Sequence, residues 1–145
     1  MKRKSHTLAV LAFGTIALFA GFGALTHSTG AQADDADVKR VFAQLLPNVP
    51  GKALSAVVVN YAPGGKSGAH HHSGSVFAYI LSGAIRSQVS GDGDAKVYKA
   101  GEFFFEPPGS SHLVSENASA TEPASLLAVF VADDGATLTA PGAAK

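Results

Sequence analysis

Two hydrophobic periods divide this chain. Between Asp37 and Leu46 the apolar residues Val38, Val41, Phe42, Leu45 and Leu46 recur at steps of three and four, the spacing of one face of a helix. The aspartates ahead of them can cap that helix and favour its positive end, and Pro47 stops it. The pattern predicts one short amphipathic helix within residues 34–50. From Lys52 onward the reading changes to strands. Leu54 to Tyr61 is β-branched and bounded by turn residues; Val76 to Leu81, Ala84 to Val89, Lys96 to Lys99, Glu102 to Glu106, His112 to Ser115 and Ala124 to Val131 follow. Pro63-Gly64-Gly65, Ser82-Gly83 and Gly91-Asp92-Gly93-Asp94 supply the turns, the last of a hairpin type. Glu116 to Glu122 reads as a polar loop. Many short strands between Gly and Pro turns predict an all-β sandwich or barrel over residues 51–132. The Ala-, Gly- and Thr-rich residues 133–145 read as a poorly ordered tail.

The first third of the chain has a different character. Lys2, Arg3 and Lys4 precede an almost wholly apolar run from Leu8 to Leu25, then come Ala31-Gln32-Ala33 and the acidic Asp34-Asp35. A basic start, an apolar stretch and a small-x-small site form a secretory leader, so residues 1–33 are expected to be removed after Ala33, with no stable membrane insertion afterwards. The expected location is periplasmic or secreted. The remaining chain carries eight basic and eleven acidic residues, a formal charge of −3. That balance, without a basic cluster, argues against nucleic acid as a partner. The chain has no cysteine, so export brings no disulfide framework, and thiolate metal ligands are excluded.

Histidine is where chemistry concentrates. Of six histidines, His6 and His27 fall in the leader; His70, His71, His72 and His112 remain. Strand side chains alternate, so His70 and His72 share a face and His71 points away. Two neutral imidazoles on one face can bind one metal ion. His71 reads as an exposed neighbour. Phe103-Phe104-Phe105, Tyr79 and Tyr98 read as packing residues of strands.

The spacing resembles the cupin family. Gly64, five residues, His70-x-His72 and finally Gly83 fall in register with its first motif. Gly101, five residues, Pro107-x-Gly109, two residues and His112 fit the second. The resemblance implies a double-stranded β-helix, a jelly-roll barrel. It further implies one divalent transition metal (Fe, Mn, Zn, Ni or Cu) held by His70, His72 and His112, with Gly83 and Gly109 in tight turns. The chain departs from the motifs twice. Val76, or Phe77 in the alternative spacing, stands where the first motif has glutamate, and Glu116 takes the place of the second motif's asparagine, with Asn117 one residue later. Three imidazoles without a carboxylate leave the full double charge on the metal and an extra open position. Glu106, at a position the family usually fills with an apolar residue, could bind the metal, act as acid or base, or pair with Arg86. Val76 and Ala78 share parity with the histidines and are expected to line the pocket. Arg86 and Gln88 share a face and would be its polar contacts if that face is the inner one. Some cupins resembling this variant are three-histidine iron dioxygenases, so the expected function is a metal-dependent enzyme on a small organic ligand, with a dioxygenase as first reading. A Lewis-acid lyase or isomerase, and a non-catalytic metal- or ligand-binding protein, are the alternatives. The family also pairs through its sheets, which puts a homodimer among the expectations.

Overall fold

The computed structural model describes residues 35–144; the expected leader lies outside them. The described chain is all-β, with strands β1 (Ala36–Leu45), β2 (Lys52–Tyr61), β3 (Lys66–Ser67), β4 (His70–His72), β5 (Ser75–Ser82), β6 (Ala84–Val89), β7 (Lys96–Lys99), β8 (Phe103–Glu106), β9 (Ser111–Asn117), β10 (Ala124–Asp133) and β11 (Thr139–Pro141). They form two antiparallel sheets. One runs β1-β2-β10-β5-β8, and the other β11-β4-β9-β6-β7, with β3 also paired to β9. The chain crosses between sheets at tight turns, giving a jelly-roll barrel. Its core lies between the sheets, around the fully buried Val76, Ile80 and Ile85.

The helix expected at Asp37 to Leu46 is a strand instead. Its residues pair antiparallel with β2 from Ala36↔Tyr61 to Leu45↔Ala53. The register slips between Arg40 and Phe42, which leaves Val41 as an extra, bulged residue. The register puts Val38 and Leu45 on the inner face and Phe42 on the outer one, so the apolar residues that suggest a helical stripe serve both faces of a strand. A lone ten-residue helix is marginal in water, whereas β2 offers this segment an unpaired edge.

The C-terminal residues are also more ordered than their composition predicts. Thr139 to Pro141 pair with His72 to His70 as strand β11. Gly142 N–H donates to Ala69 O, and Ala144 N–H to Ser111 Oγ. The barrel therefore does not end at residue 132.

Gly83, between β5 and β6, has φ +68°, and Gly109 has φ +77°; both belong to turns as expected. At Gly83 a side chain is excluded twice over. The left-handed backbone disfavours it, and an added Cβ would lie 2.7 Å from Pro123 O and 2.8 Å from Ala124 Cβ. Gly83→Ala is predicted to destabilise the fold by about 2–4 kcal/mol through strain and overpacking. Urea denaturation followed by circular dichroism checks this.

Candidate metal centre

Register and parity assemble the site. Strands β4 and β9 pair so that His70 lies directly opposite His112. Two residues along β4, His72 emerges on the same inner face. The ligand atoms of His70, His72 and His112 all lie within 4.8 Å of one another, a grouping that can hold a metal ion. Aromatic rings brace them. Phe104 meets His112 edge-on at 5.6 Å and Phe130 meets His72 at 5.1 Å between centroids.

The far nitrogens of the rings are tied down. His70 Nδ1 is 2.7 Å from Gly68 O and His72 Nδ1 is 2.9 Å from Leu138 O, so each donates its ring proton to a carbonyl and turns the Nε2 lone pair toward the site. Thr139 Oγ1 stands 3.2 Å from the same His72 nitrogen. Ser87 Oγ holds His112 Nε2 at 2.8 Å. Burial drives the pKa of His72 down to about 4 and of His112 down to about 3, helped by the neighbouring imidazoles. Both are neutral, and able to donate to a metal, at physiological pH.

Glu106 completes the cluster. Among cross-strand pairs of β5 and β8, Val76 lies opposite Glu106. The carboxylate thus occupies the place adjacent to the missing motif glutamate, reached from the neighbouring strand. Its Oε2 is 3.6 Å from His72 Nε2 and its Oε1 is 3.3 Å from His112 Nδ1. With neutral histidines these are not ion pairs. Burial alone raises Glu106 from its ordinary 4.5 to about 7. Among the described residues, Glu106 Oε2 is the one buried side-chain polar atom with no hydrogen-bond partner. A buried carboxylate oxygen without a hydrogen-bond partner, facing neutral imidazoles, makes a donor set suited to a cation. The residues present therefore fit a divalent metal.

Other residues depart from expectation. Arg86 and Gln88 point outward, because Ile85, Ser87 and Val89 take the inner positions of β6. Arg86 pairs with Glu116 at 2.7 Å, not with Glu106, and Gln88 donates to Gly93 O. Neither lines the cavity. Val76 is wholly buried beside it, whereas Ala78 is on its wall. His71 turns away and bonds Gly142 O. Asn117 is structural: its amide donates to Ala62 O and Glu122 O, clamping two loops.

A cavity of about 110 Å³ opens beside the cluster, walled by Val57, Ala78, Phe104, Leu126, Ala128 and Phe130. A hydroxyl patch on its wall joins Tyr61 Oη to Ser67 Oγ at 3.0 Å and to Ser115 Oγ at 2.8 Å. Nothing in the sequence marked Tyr61, Ser67, Ser87 or Thr139 for the site, because their positions depend on the pairing of distant strands.

A β-barrel with an internal three-histidine group positioned to bind a metal is the class this fold and site define. The cupin domain profile matches residues 57–130, and the chain belongs to the cupin family. No curated protein matches the sequence. Among solved structures, it is similar to a conserved protein with a double-stranded β-helix domain from Klebsiella pneumoniae, at 24% identity over 75% of this chain and 85% of that one, TM-score 0.58. A mutant of Bacillus subtilis oxalate decarboxylase is 27% identical, with 61% of this chain and 23% of that chain aligned and a TM-score of 0.51. The DMSP lyase from Ruegeria pomeroyi is 23% identical, over 61% and 42% of the two chains, TM-score 0.52. This chain thus spans less than half the length of either enzyme.

Glu106→Gln separates the cost of this carboxylate from its use. Folded Glu106 holds its proton more tightly than the unfolded chain does, so its charge weighs against the fold as pH rises from 4.5 through about 7. The metal-free variant is predicted to be more stable at pH 8 by up to about 3 kcal/mol, with a smaller gain at pH 5. Its metal affinity falls at least about tenfold. Thermal melts at the two pH values and metal titration calorimetry read both effects.

Proposed function

We propose that this chain is an exported, metal-dependent enzyme acting on a small organic molecule, with an oxygenase of the dioxygenase type as the first reading. The observation that carries the proposal is the buried, partnerless Glu106 oxygen beside three histidines at the wall of an apolar cavity. His70, His72 and His112 would hold the metal, with Glu106 as a fourth ligand or as the group that takes a proton from substrate. When bound, the metal supplies Lewis acidity and, in the oxygenase reading, electron exchange with dioxygen. Phe104, Leu126 and Phe130 exclude water from the reacting volume, and the Tyr61–Ser67–Ser115 hydroxyls offer one polar wall.

Size and charge narrow the substrate. An apolar cavity of about 150 Å³ accommodates benzene, so about 110 Å³ suits a molecule of roughly six heavy atoms. The lining includes no lysine or arginine. A dianion such as oxalate would find no cationic side chain there, so the substrate is read as neutral or singly charged. A short diketone or a comparable hydroxy-carbonyl compound meets both limits.

Metal analysis of protein isolated from its natural compartment, followed by oxygen uptake with small diketones and catechols, tests the proposal. Bound transition metal with substrate-dependent oxygen uptake is expected, and His112→Ala should lose both. Metal retained without turnover of any kind would establish the binding-protein alternative. A protein that takes up no transition metal would overturn the site. For export, the expected result is a mature N-terminus at Asp34 by terminal sequencing.

A further inference from the structure

Away from the histidines and Glu106, the cavity wall carries a cluster of hydroxyls. Tyr61 Oη bonds both Ser67 Oγ and Ser115 Oγ, and all three residues line the cavity. Tyr61 and Ser115 are only 3% and 4% exposed, so this polarity is spent on the interior. Three strands distant in sequence bring the groups together. Tyr61 ends β2, and Ser67 of β3 lies directly opposite Ser115 of β9.

Stability alone gives little reason for these hydroxyls. Replacing hydrogen-bonded partners together by apolar groups of like shape is nearly neutral, and Val57, Val59, Ala78, Leu126 and Ala128 show that the same wall is otherwise built from apolar side chains. A serine hydroxyl offers one donor and two acceptor positions. The contact with Tyr61 leaves capacity on Ser67 and on Ser115 for a molecule in the cavity.

The patch also stands at a set span from the histidines. On β9 both His112 and Ser115 are buried, His112 opposite His70 and Ser115 opposite Ser67. Three residue steps of about 3.3 Å, shortened where the register slips beside Leu113, place the patch roughly 7–10 Å along the strand from His112. That span suits a ligand of the size the cavity admits, touching both ends at once.

We infer that the Tyr61–Ser67–Ser115 patch receives the end of the ligand remote from the metal, with Tyr61 as the specificity-determining residue that holds both serine hydroxyls in place. The inference rests on the metal-site reading above and narrows its substrate class. The ligand carries one oxygen function for the metal and a second, uncharged one at the far end of a short apolar spacer. The lining includes no lysine or arginine, so that far group is a hydroxyl or carbonyl and not a second carboxylate. A compound with both oxygens on adjacent carbons would present them to the metal together and leave the patch unmet.

Titration of the zinc-loaded protein with 3-hydroxypropionate and with butyrate, followed by amide NMR shifts, tests this. The two acids share a carboxylate for the metal and differ by a terminal hydroxyl in place of a methyl group. Zinc uptake is measured first, by calorimetry. The wild type is expected to bind 3-hydroxypropionate at least about fivefold more tightly than butyrate. Tyr61→Phe, which keeps the ring, should bring that ratio to about one while changing zinc affinity by less than about twofold. Ser67→Ala, at a half-buried position, should cut the preference by at least about half and serves if Tyr61→Phe does not fold. Zinc uptake with equal binding of the two acids, with binding of neither, or with a preference that survives both substitutions would overturn the inference and leave the metal site standing. A protein that takes up no zinc would overturn the metal-site reading, and the inference with it.

Discussion

The structure turns on a carboxylate buried beside imidazoles. Glu106 sits in a wall of aliphatic and aromatic side chains, and burial raises its pKa to about 7. Its oxygens touch two imidazoles that burial keeps neutral. A divalent ion held by these groups would stabilise the charge of the carboxylate. The barrel tolerates the arrangement because the rings donate to Gly68 O and Leu138 O and bond Ser87 Oγ, while the pairing of β8 with β5 fixes the carboxylate. Stability is given up at the site and recovered in the surrounding core, a distribution common where a protein does chemistry.

Much of this was legible in the chain. Alternation separated His71 from His70 and His72, and motif spacing brought in His112. The same spacing showed that Val76 stands where a carboxylate belongs. It could not show that Glu106 lies across from Val76, because cross-strand register depends on which strands meet. Arg86 and Gln88 were expected inside only if their face was the inner one, and Ile85 and Ser87 hold that face. The first strand was misread because its apolar residues serve both faces of the sheet, and their combined spacing imitates that of one helical face. The C-terminal strand was missed because Ala, Gly and Thr give little pattern, and its order comes from pairing with β4.

One sheet serves two purposes. Along β8, Phe104 and Glu106 turn into the barrel, while Phe103 and Phe105 turn out. Along β5, Val76, Ala78 and Ile80 face the core, while Phe77 and Tyr79 face away. A strand buried on one side ordinarily reads as polar alternating with apolar. These strands are apolar on both sides.

Strand β11 gives the barrel a temporal property. The carbonyl that receives the His72 ring proton belongs to Leu138, and Thr139 adjoins it. A chain emerging from synthesis has every histidine available before that acceptor arrives. The His72 lone pair is therefore set in its working direction only when nearly the last described residues are in place. Metal selection falls to the finished molecule, and a fragment halted before residue 138 would meet ions with His72 free to turn.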